Sequence, residues 1–419
     1  MAGSGVLDYL YSLEKFGIKL GLDNIRALLE ALDNPQRRYA VIHVAGTNGK
    51  GSVCAFLGAI LRQGGYRVGV YTSPHLRRFN ERICVNDRQI SDDDLEELVT
   101  RLRRLGGGVP ATFFEFTTAV ALEHFARQRV DIAVVETGMG GRLDATNVVE
   151  PLVTVITTIS HDHDDYLGDS LSMIAAEKGG IIKQGVPVVL APQPAEAQEV
   201  LEDISGRHGC RLCCYGRDYS VVGAGDASVD ITVGTERWIR LQPALEGEHQ
   251  QINLAVAMAA LAELPQDRFP VARRAVCDGV RNVFWPGRLQ RVCYKGVQVL
   301  LDGAHNGAGA AALAAYLARV VQRRIHLVCG FKYDKDVSAI MAELAPMAVA
   351  VYAVEPPVEL ACPGHKVVAL AGNYGRRGSS YARLEAALDA AVASAGADEM
   401  VVVAGSLFLV AAASEYLAL

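Results

Sequence analysis

The feature that most constrains this chain is an alternation. Val- and Ile-rich runs at 39–46, 67–73, 131–137, 152–160 and 186–192 alternate with helix-periodic stretches such as 51–63, 91–105 and 117–127. The runs are apolar almost throughout, as expected of strands buried on both faces of a parallel sheet. Parallel strands need crossovers, and the helical stretches supply them. Ser91 followed by Asp92, Asp93 and Asp94 is a helix start, with a capping hydroxyl and acids at the positive helix end. Around 211–243 the texture changes to short alternating strands with Gly turns, which reads as a small antiparallel appendage. A second α/β series begins near residue 288, with strand-like runs at 297–301, 324–330, 348–354, 366–370 and 399–404. Pro286 and Gly287 break regular structure between the series. The expected organisation is therefore an α/β doubly wound, mostly parallel sheet domain over 1–285 and a smaller Rossmann-like α/β domain over 286–419.

Composition narrows the function classes. The 419 residues carry 41 Lys and Arg against 47 Asp and Glu, a net charge of −6, without the basic surplus of a general nucleic-acid binder. The longest nearly apolar stretch, 400–413, is too short for a bilayer crossing of ~20 residues. No basic segment followed by an apolar core opens the chain, so a cytoplasmic location is expected. Nine scattered cysteines argue against a disulfide framework. Cys210, Cys213 and Cys214 form the single cluster. Without a second pair it reads as ordinary thiols at a strand end, with a structural metal as the alternative.

The run Val41-Ile-His-Val-Ala-Gly46-Thr-Asn-Gly-Lys50-Gly-Ser52 carries the chemistry. A strand enters a Gly-rich turn and leaves as an apolar-periodic helix through Val53, Phe56, Leu57, Ile60 and Leu61. Glycines let N–H groups converge on an anion, the helix start adds partial positive charge, and Lys50 adds a full one. Ser52 can ligate Mg²⁺. The spacing departs from G-x4-G-K-[ST], because Gly51 stands between Lys50 and Ser52. The bland alternative is a tight strand–helix turn with a surface lysine.

Three further groups are chemically suggestive. Glu136 ends a buried run, where a carboxylate would face the ligand crevice of a doubly wound sheet; a capping or ion-paired Glu is the alternative. His161-Asp-His163-Asp-Asp165 is the richest ligand cluster, or else a solvated acidic turn. Ser73, at the end of the second run, offers another hydroxyl to a cation.

The glycine-rich loop resembles that of the Mur-ligase superfamily, and its Gly-Lys-Gly-Ser form is similar to the folylpolyglutamate synthase/dihydrofolate synthase branch. Matching motifs follow in order: Thr72-Ser-Pro-His-Leu76, Phe79-Asn-Glu-Arg-Ile83, Phe113-Phe-Glu-Phe-Thr117, Glu136-Thr-Gly-Met-Gly-Gly-Arg-Leu-Asp-Ala-Thr-Asn147, Glu177-Lys-Gly-Gly-Ile-Ile-Lys183, His249-Gln-Gln-Ile-Asn253, Leu301-Asp-Gly-Ala-His-Asn306 and Asp334-Lys-Asp336. The 140–147 stretch resembles the bacterial bifunctional form. The resemblance implies a Mur ligase-like fold and an ATP-dependent ligase that adds L-glutamate to dihydropteroate, or to the γ-carboxylate of a reduced folate's glutamate tail, through an acyl phosphate. It implies a nucleotide site at Asn48, Gly49, Lys50, Gly51, Ser52, Asn253, Arg288, Asp302 and His305, where each of the last four alone reads equally as a core or surface residue. It implies two Mg²⁺ ions held by Ser52, Ser73, Glu136 and His163, a monovalent cation, and a carbamylated Lys178 as a further ligand; an unmodified Lys178 contacting phosphate is the alternative. Lys50, Glu136, His163 and Lys178 would form the catalytic set, and His161 has no assigned role. For a flat pterin the candidates are Thr112, Phe113, Phe114 and Glu115, with Leu143, Asp144 and Ala145, and with Lys19, Leu20 and Gly21; the two phenylalanines are equally credible as core. Expected partners are the pterin acid, L-glutamate and ATP, with no nucleic acid or membrane, and a monomer is expected. The rival readings are a Mur-type ligase acting on a cell-wall precursor and a non-catalytic nucleotide-binding protein.

Overall fold

The computed structural model describes residues 4–17, 21–162, 167–224, 227–322, 324–358 and 360–419. The chain divides into two compact units. One holds the described residues up to Ser160, those from Leu167 to Ala244, and Gln250–Phe284; the other holds Trp285–Leu419, Leu245–His249 and a short piece with His161 and Asp162.

The first unit is built on an eight-stranded sheet. Its strands are β1 (Ala40–Ala45), β2 (Val68–Tyr71), β3 (Ile83–Val85), β4 (Arg88–Gln89), β5 (Ile132–Glu136), β6 (Val153–Ile156), β7 (Val188–Leu190) and β8 (Leu212–Cys214), in the order β4-β3-β2-β5-β1-β6-β7-β8. From β2 to β8 every neighbour is parallel. Only the edge pairs β2·β3 and β3·β4 are antiparallel. β1, β5 and β6 are wholly buried, which explains their unbroken apolar runs. The register sets Val44 beside Glu136 and Ala45 beside Ile156. Gly46, Glu136 and Thr157 therefore emerge together at the carboxyl ends of three adjacent strands, where open α/β sheets bind ligands.

Two local expectations shift. Residues 212–214 do not belong to the antiparallel appendage: they form β8 on the parallel sheet. The appendage itself is β9 (Tyr219–Gly223), β10 (Val229–Val233) and β11 (Glu236–Leu241). The helix expected from residue 117 begins at Phe113. Thr112 caps it, and Glu115 returns a bond to the Thr112 N–H at 2.7 Å. This reciprocal cap fixes the helix start.

The second unit is a six-stranded sheet of β12 (Gln290–Tyr294), β13 (Val297–Leu301), β14 (Arg324–Cys329), β15 (Ala348–Val354), β16 (Arg377–Tyr381) and β17 (Glu399–Ala404), ordered β12-β13-β17-β14-β15-β16. Only β12 runs antiparallel. The run 366–370, expected as a strand, lies inside the helix Gly364–Asn373. Val367 and Ala371, four apart, are its buried stripe, so the apolar period there is helical. The edge strand is instead the polar β16, whose exposed side chains hide it from an apolar pattern. Among the described residues no helix is long and apolar enough to cross a membrane.

Candidate active site

The phosphate loop is shaped by contacts that only glycine permits at two points. Gly46 has φ 144°, and a Cβ there would meet Thr157 Oγ1 at 1.9 Å. Gly49 has φ 93°, and its Cβ would meet Asn253 Oδ1 at 2.3 Å. Asn253, expected at the nucleotide site, thus stands directly against the loop. It is buried and donates to Gln250 Oε1 at 3.1 Å. The N–H groups of Thr47 and Asn48 donate to Thr158 O, and the Thr47 hydroxyl and Asn48 amide reach Ser160 at 3.0 and 3.1 Å. The loop is therefore pinned to the end of β6. The helix Lys50–Gln63 starts on it, and its first intrahelical bond is Val53 N–H to Gly49 O. The N–H groups of Lys50, Gly51 and Ser52 precede that bond, which makes them the anion-facing donors of the helix start.

Two lysines converge here. Lys50 Nζ donates to Gly46 O and Thr47 O, each at 3.0 Å. Lys178 Nζ, on a side chain only 4 % exposed, donates to the same Gly46 O at 2.9 Å. Two ammonium groups on one carbonyl oxygen make the loop strongly cationic. Lys178 is placed by the helix Leu171–Gly179, whose end docks on the 140–147 segment. Arg142 N–H donates to Glu177 O, its guanidinium pairs with Glu177 at 2.8 Å, and a Cβ on Gly141 would strike the Glu177 and Lys178 carbonyls. Asn147 donates to Arg142 O and Gly180 O and accepts from Lys183.

Glu136 is buried at the end of β5, and its Oε2 accepts the Ser73 N–H at 3.1 Å. Ser52 is buried in the first turn of the loop helix. A carboxylate and two hydroxyls are hard oxygen donors that suit Mg²⁺. His163, Lys19 and Leu20 lie outside the described residues. Among the described residues no three His, Cys, Asp or Glu side chains converge into a further metal set. Burial raises the Cys210 and Cys214 thiol pKa values and pushes Cys213 up to about 12, which disfavours the reactive thiolate.

The pterin candidates form one neighbourhood, with an internal surprise. Phe113 and Phe114 are half-buried against the core. Tyr11 stacks on Phe113 at 5.8 Å, Phe114 stacks on Tyr71 at 6.1 Å, and Gly138 leaves room for the Phe114 ring. The two candidate carboxylates, however, are engaged by the fold. Glu115 accepts from Thr112 N and Oγ1. Asp144 Oδ2 accepts the Met139 N–H, and its Oδ1 accepts Thr146 N–H and Oγ1–H. Leu143 and Ala145 flank it in the chain, and Gly21 has φ 151° with open space around it. Because the Thr146 hydroxyl proton goes to Asp144, His43 must donate Nε2–H to Thr146 Oγ1, at 2.8 Å, and among the described residues its buried Nδ1 has no partner. Burial, with Lys183 nearby, lowers the His43 pKa to about 3, so this imidazole is neutral.

In the second unit Asp302 is buried and accepts from Leu289 N–H and Ala304 N–H, both at 2.9 Å. Arg288 lies against Gly303, and Asp302 and Arg288 both act on His249, whose pKa burial lowers. His305 is held by its own turn, Nδ1 to Gly303 O at 2.8 Å. Asp162 pairs with Lys335 at 2.6 Å and accepts from Asn306. Sequence reasoning gave no individual role to His249, Asp162, Lys335, Glu81 or Arg82, although all five sit inside motifs or clusters it singled out.

Comparison with known proteins gives the class. The Mur ligase middle domain matches residues 44–261 and the Mur ligase glutamate ligase domain matches 287–407. The dihydrofolate synthase/folylpolyglutamate synthase of Bacillus subtilis is 37 % identical over 361 residues, covering 82 % of this chain and 83 % of that one. An Escherichia coli FolC in complex with DHPP and ADP superposes with a TM-score of 0.91 at 30 % identity, over 100 % of this chain and 99 % of that one. A bifunctional folylpolyglutamate synthase/dihydrofolate synthase with Mn, AMPPNP and L-glutamate bound gives a TM-score of 0.90 at 30 % identity, over 100 % and 99 %. The chain belongs to the dihydrofolate synthase/folylpolyglutamate synthase family of Mur ligases.

Proposed function

We propose that this chain is an ATP-dependent ligase joining L-glutamate to a pterin-borne acid, either dihydropteroate or the γ-carboxylate of a folate glutamate tail. The observation that carries the reading is the loop at residues 46–52, where Lys50 folds onto the Gly46 carbonyl beside the helix-start N–H groups. Such a cradle suits a triphosphate. The terminal phosphoryl passes to a carboxylate oxygen of the acid, giving ADP and an acyl phosphate. The α-amine of glutamate attacks the acyl carbon, an amide forms, and phosphate leaves. Lys50 and the loop amides stabilise charge on the transferring group, and electrostatic stabilisation of that kind is the main effect open to a protein in phosphoryl transfer. Glu136, Ser73 and Ser52 would hold Mg²⁺, which supplies further neutralisation of phosphate charge. The aromatic side chains Phe113, Phe114 and Tyr11 give a flat acid its binding surface, whereas Glu115 and Asp144 hold the turns that carry it.

We further propose that Lys178 is carbamylated. Addition of CO₂ to its neutral amine forms an N–C bond and releases one proton. The product keeps an N–H for Gly46 O, removes the repulsion between two ammonium groups, and adds an anion at the loop. Intact mass and density at neutral pH check this; an unmodified Lys178 in the liganded enzyme refutes it.

The test of the activity is glutamate-dependent ADP release with dihydropteroate and with tetrahydrofolate as separate acceptors. Turnover with both identifies a bifunctional enzyme, and turnover with one identifies which. Release with a muramyl nucleotide and neither pterin, or release independent of any acceptor, refutes the reading.

A further inference from the structure

A buried guanidinium outside the assigned set lies next to the aromatic neighbourhood. Arg82 closes the short turn Phe79–Arg82 before β3 and is 8 % exposed. Its Nε donates to His75 Nδ1 at 2.8 Å, and its backbone carbonyl accepts the Thr72 N–H. Its guanidinium carbon lies 5.3 Å from the Phe113 ring centroid and 6.0 Å from that of Phe79. Glu136 and Glu14 are the carboxylates within electrostatic reach of it, and the Tyr71 and Tyr11 phenols lie nearby. None of them makes a hydrogen bond to it. Among the described residues its two terminal nitrogens donate to nothing. A charged group this far from water ordinarily has a partner.

We infer that Arg82 binds the carboxylate of the pterin-borne acid, the group that is to be phosphorylated. The inference rests on the ligase reading above. The parallel terminal N–H groups match a carboxylate in a bidentate fork. The flanking Phe113 and Phe79 rings suit the aryl body attached to that acid better than a hydrated triphosphate, which has its own cradle at residues 46–52. Proximity to Glu136 sets the bound carboxylate beside the phosphoryl-transfer machinery. His75 is a positioning residue: by accepting the Nε–H it fixes the plane of the fork, leaving the other edge for the ligand. Arg82 is then what makes the site select an acid over an otherwise identical neutral molecule.

The experiment compares dihydropteroate with its carboxamide, by calorimetric titration of the full chain in the absence of nucleotide. The wild type is expected to prefer the acid by about 50-fold, the equivalent of one charge-assisted bidentate pair. Arg82→Met should reduce that ratio to within about threefold while ADP affinity stays within twofold. Arg82→Lys, which keeps charge and ring contact but not the fork, should give an intermediate ratio. His75→Ala should lower the ratio, and His75→Asn, whose Oδ1 can accept the Nε–H, should restore it. A ratio ratio unchanged in Arg82→Met, with the variant folded by thermal melting, overturns the inference and leaves the ligase reading standing. A wild type that binds neither pterin overturns both.

Discussion

The loop between β2 and β3 hangs on one carboxylate, and removing it should loosen the site without unfolding the chain. Glu81 Oε2 accepts Leu76 N–H at 2.7 Å, its Oε1 accepts Arg78 N–H at 2.8 Å, and the Arg77 N–H bridges both oxygens at 3.1 and 3.2 Å. Three consecutive amides thus point at one anion, an arrangement that holds the 74–82 backbone between His75 and Arg82. Each such bond to a charged group contributes ~1.5–3 kcal/mol when shielded, and less at an exposed edge; a total of roughly 2–4 kcal/mol of local ordering follows. In Glu81→Ala the three amides turn to water, and the local opening equilibrium should rise by about 30- to 1000-fold. Hydrogen exchange of the 74–82 peptide reads this directly: Leu76, Arg77 and Arg78 should lose protection by that factor, while the strands β1 and β5 exchange as before. Turnover should fall with it, because His75 and Arg82 lose their frame, and Glu81→Gln should lie between. Unchanged protection at the three amides, or turnover within twofold of wild type, would refute the reasoning.

Three other perturbations test separate parts of the structure. Gly49→Ala places a Cβ 2.3 Å from Asn253 Oδ1 at a φ of 93°, so ADP affinity should fall at least tenfold with the fold intact; calorimetry showing normal affinity would contradict the geometry. His43, with its pKa lowered to about 3 by burial, contributes stability that is complete above its ordinary value of 6.5 and is lost as pH falls toward 3. At pH 5 that loss amounts to roughly 2 kcal/mol, and His43→Gln, which keeps a donor for Thr146, should flatten the pH 7 to pH 5 difference in urea midpoint by about that amount; identical slopes would argue against it. Glu115→Gln keeps an acceptor for Thr112 and should bind dihydropteroate within threefold of wild type, whereas Glu115→Ala leaves a buried N–H unpaired and should lower stability by about 1–3 kcal/mol; a large affinity loss in the Gln variant would show direct contact between this carboxylate and the pterin.

The two-sided burial of β1, β5 and β6 made the parallel sheet legible, because a strand covered on both faces must be apolar along its whole length. Conversely β16 was illegible, since Arg377-Gly-Ser-Ser-Tyr381 covers an edge, where solvent removes the apolar signal. The run 366–370 misled for a related reason: Val367, Val368 and Leu370 are apolar at a spacing that fits either period, and only packing of Val367 and Ala371 decides. At the site, residues whose chemistry belongs to one local segment could be read off. Gly46, Gly49 and Lys50 are of this kind. Residues whose role depends on a partner far along the chain could not: Arg82 acquires its meaning from the Phe113 ring, and Lys178 from a carbonyl 132 positions earlier.

That distinction also orders the chemistry. Anion binding needs only converging amides and one lysine, which a single strand–turn–helix can supply, so nucleotide affinity is a local property of residues 46–52. Choosing the acid is a non-local property. It requires β2, β3, β5 and the helix Phe113–Arg127 to hold Glu136, Arg82 and Phe113 in mutual register, and that register is fixed by buried caps and networks such as Thr112–Glu115 and His43–Thr146–Asp144. These networks lie in or beside the pterin neighbourhood, whereas the loop is pinned separately through Thr47 and Asn48. Substitutions that loosen the caps should therefore raise the KM for the acid before they affect the KM for ATP, and Thr146→Val, which removes the hydroxyl link between His43 and Asp144, is the mildest variant in which steady-state kinetics can separate the two. A parallel rise in both constants would mean that the acid site and the nucleotide loop are held by one network, contrary to the contacts seen here.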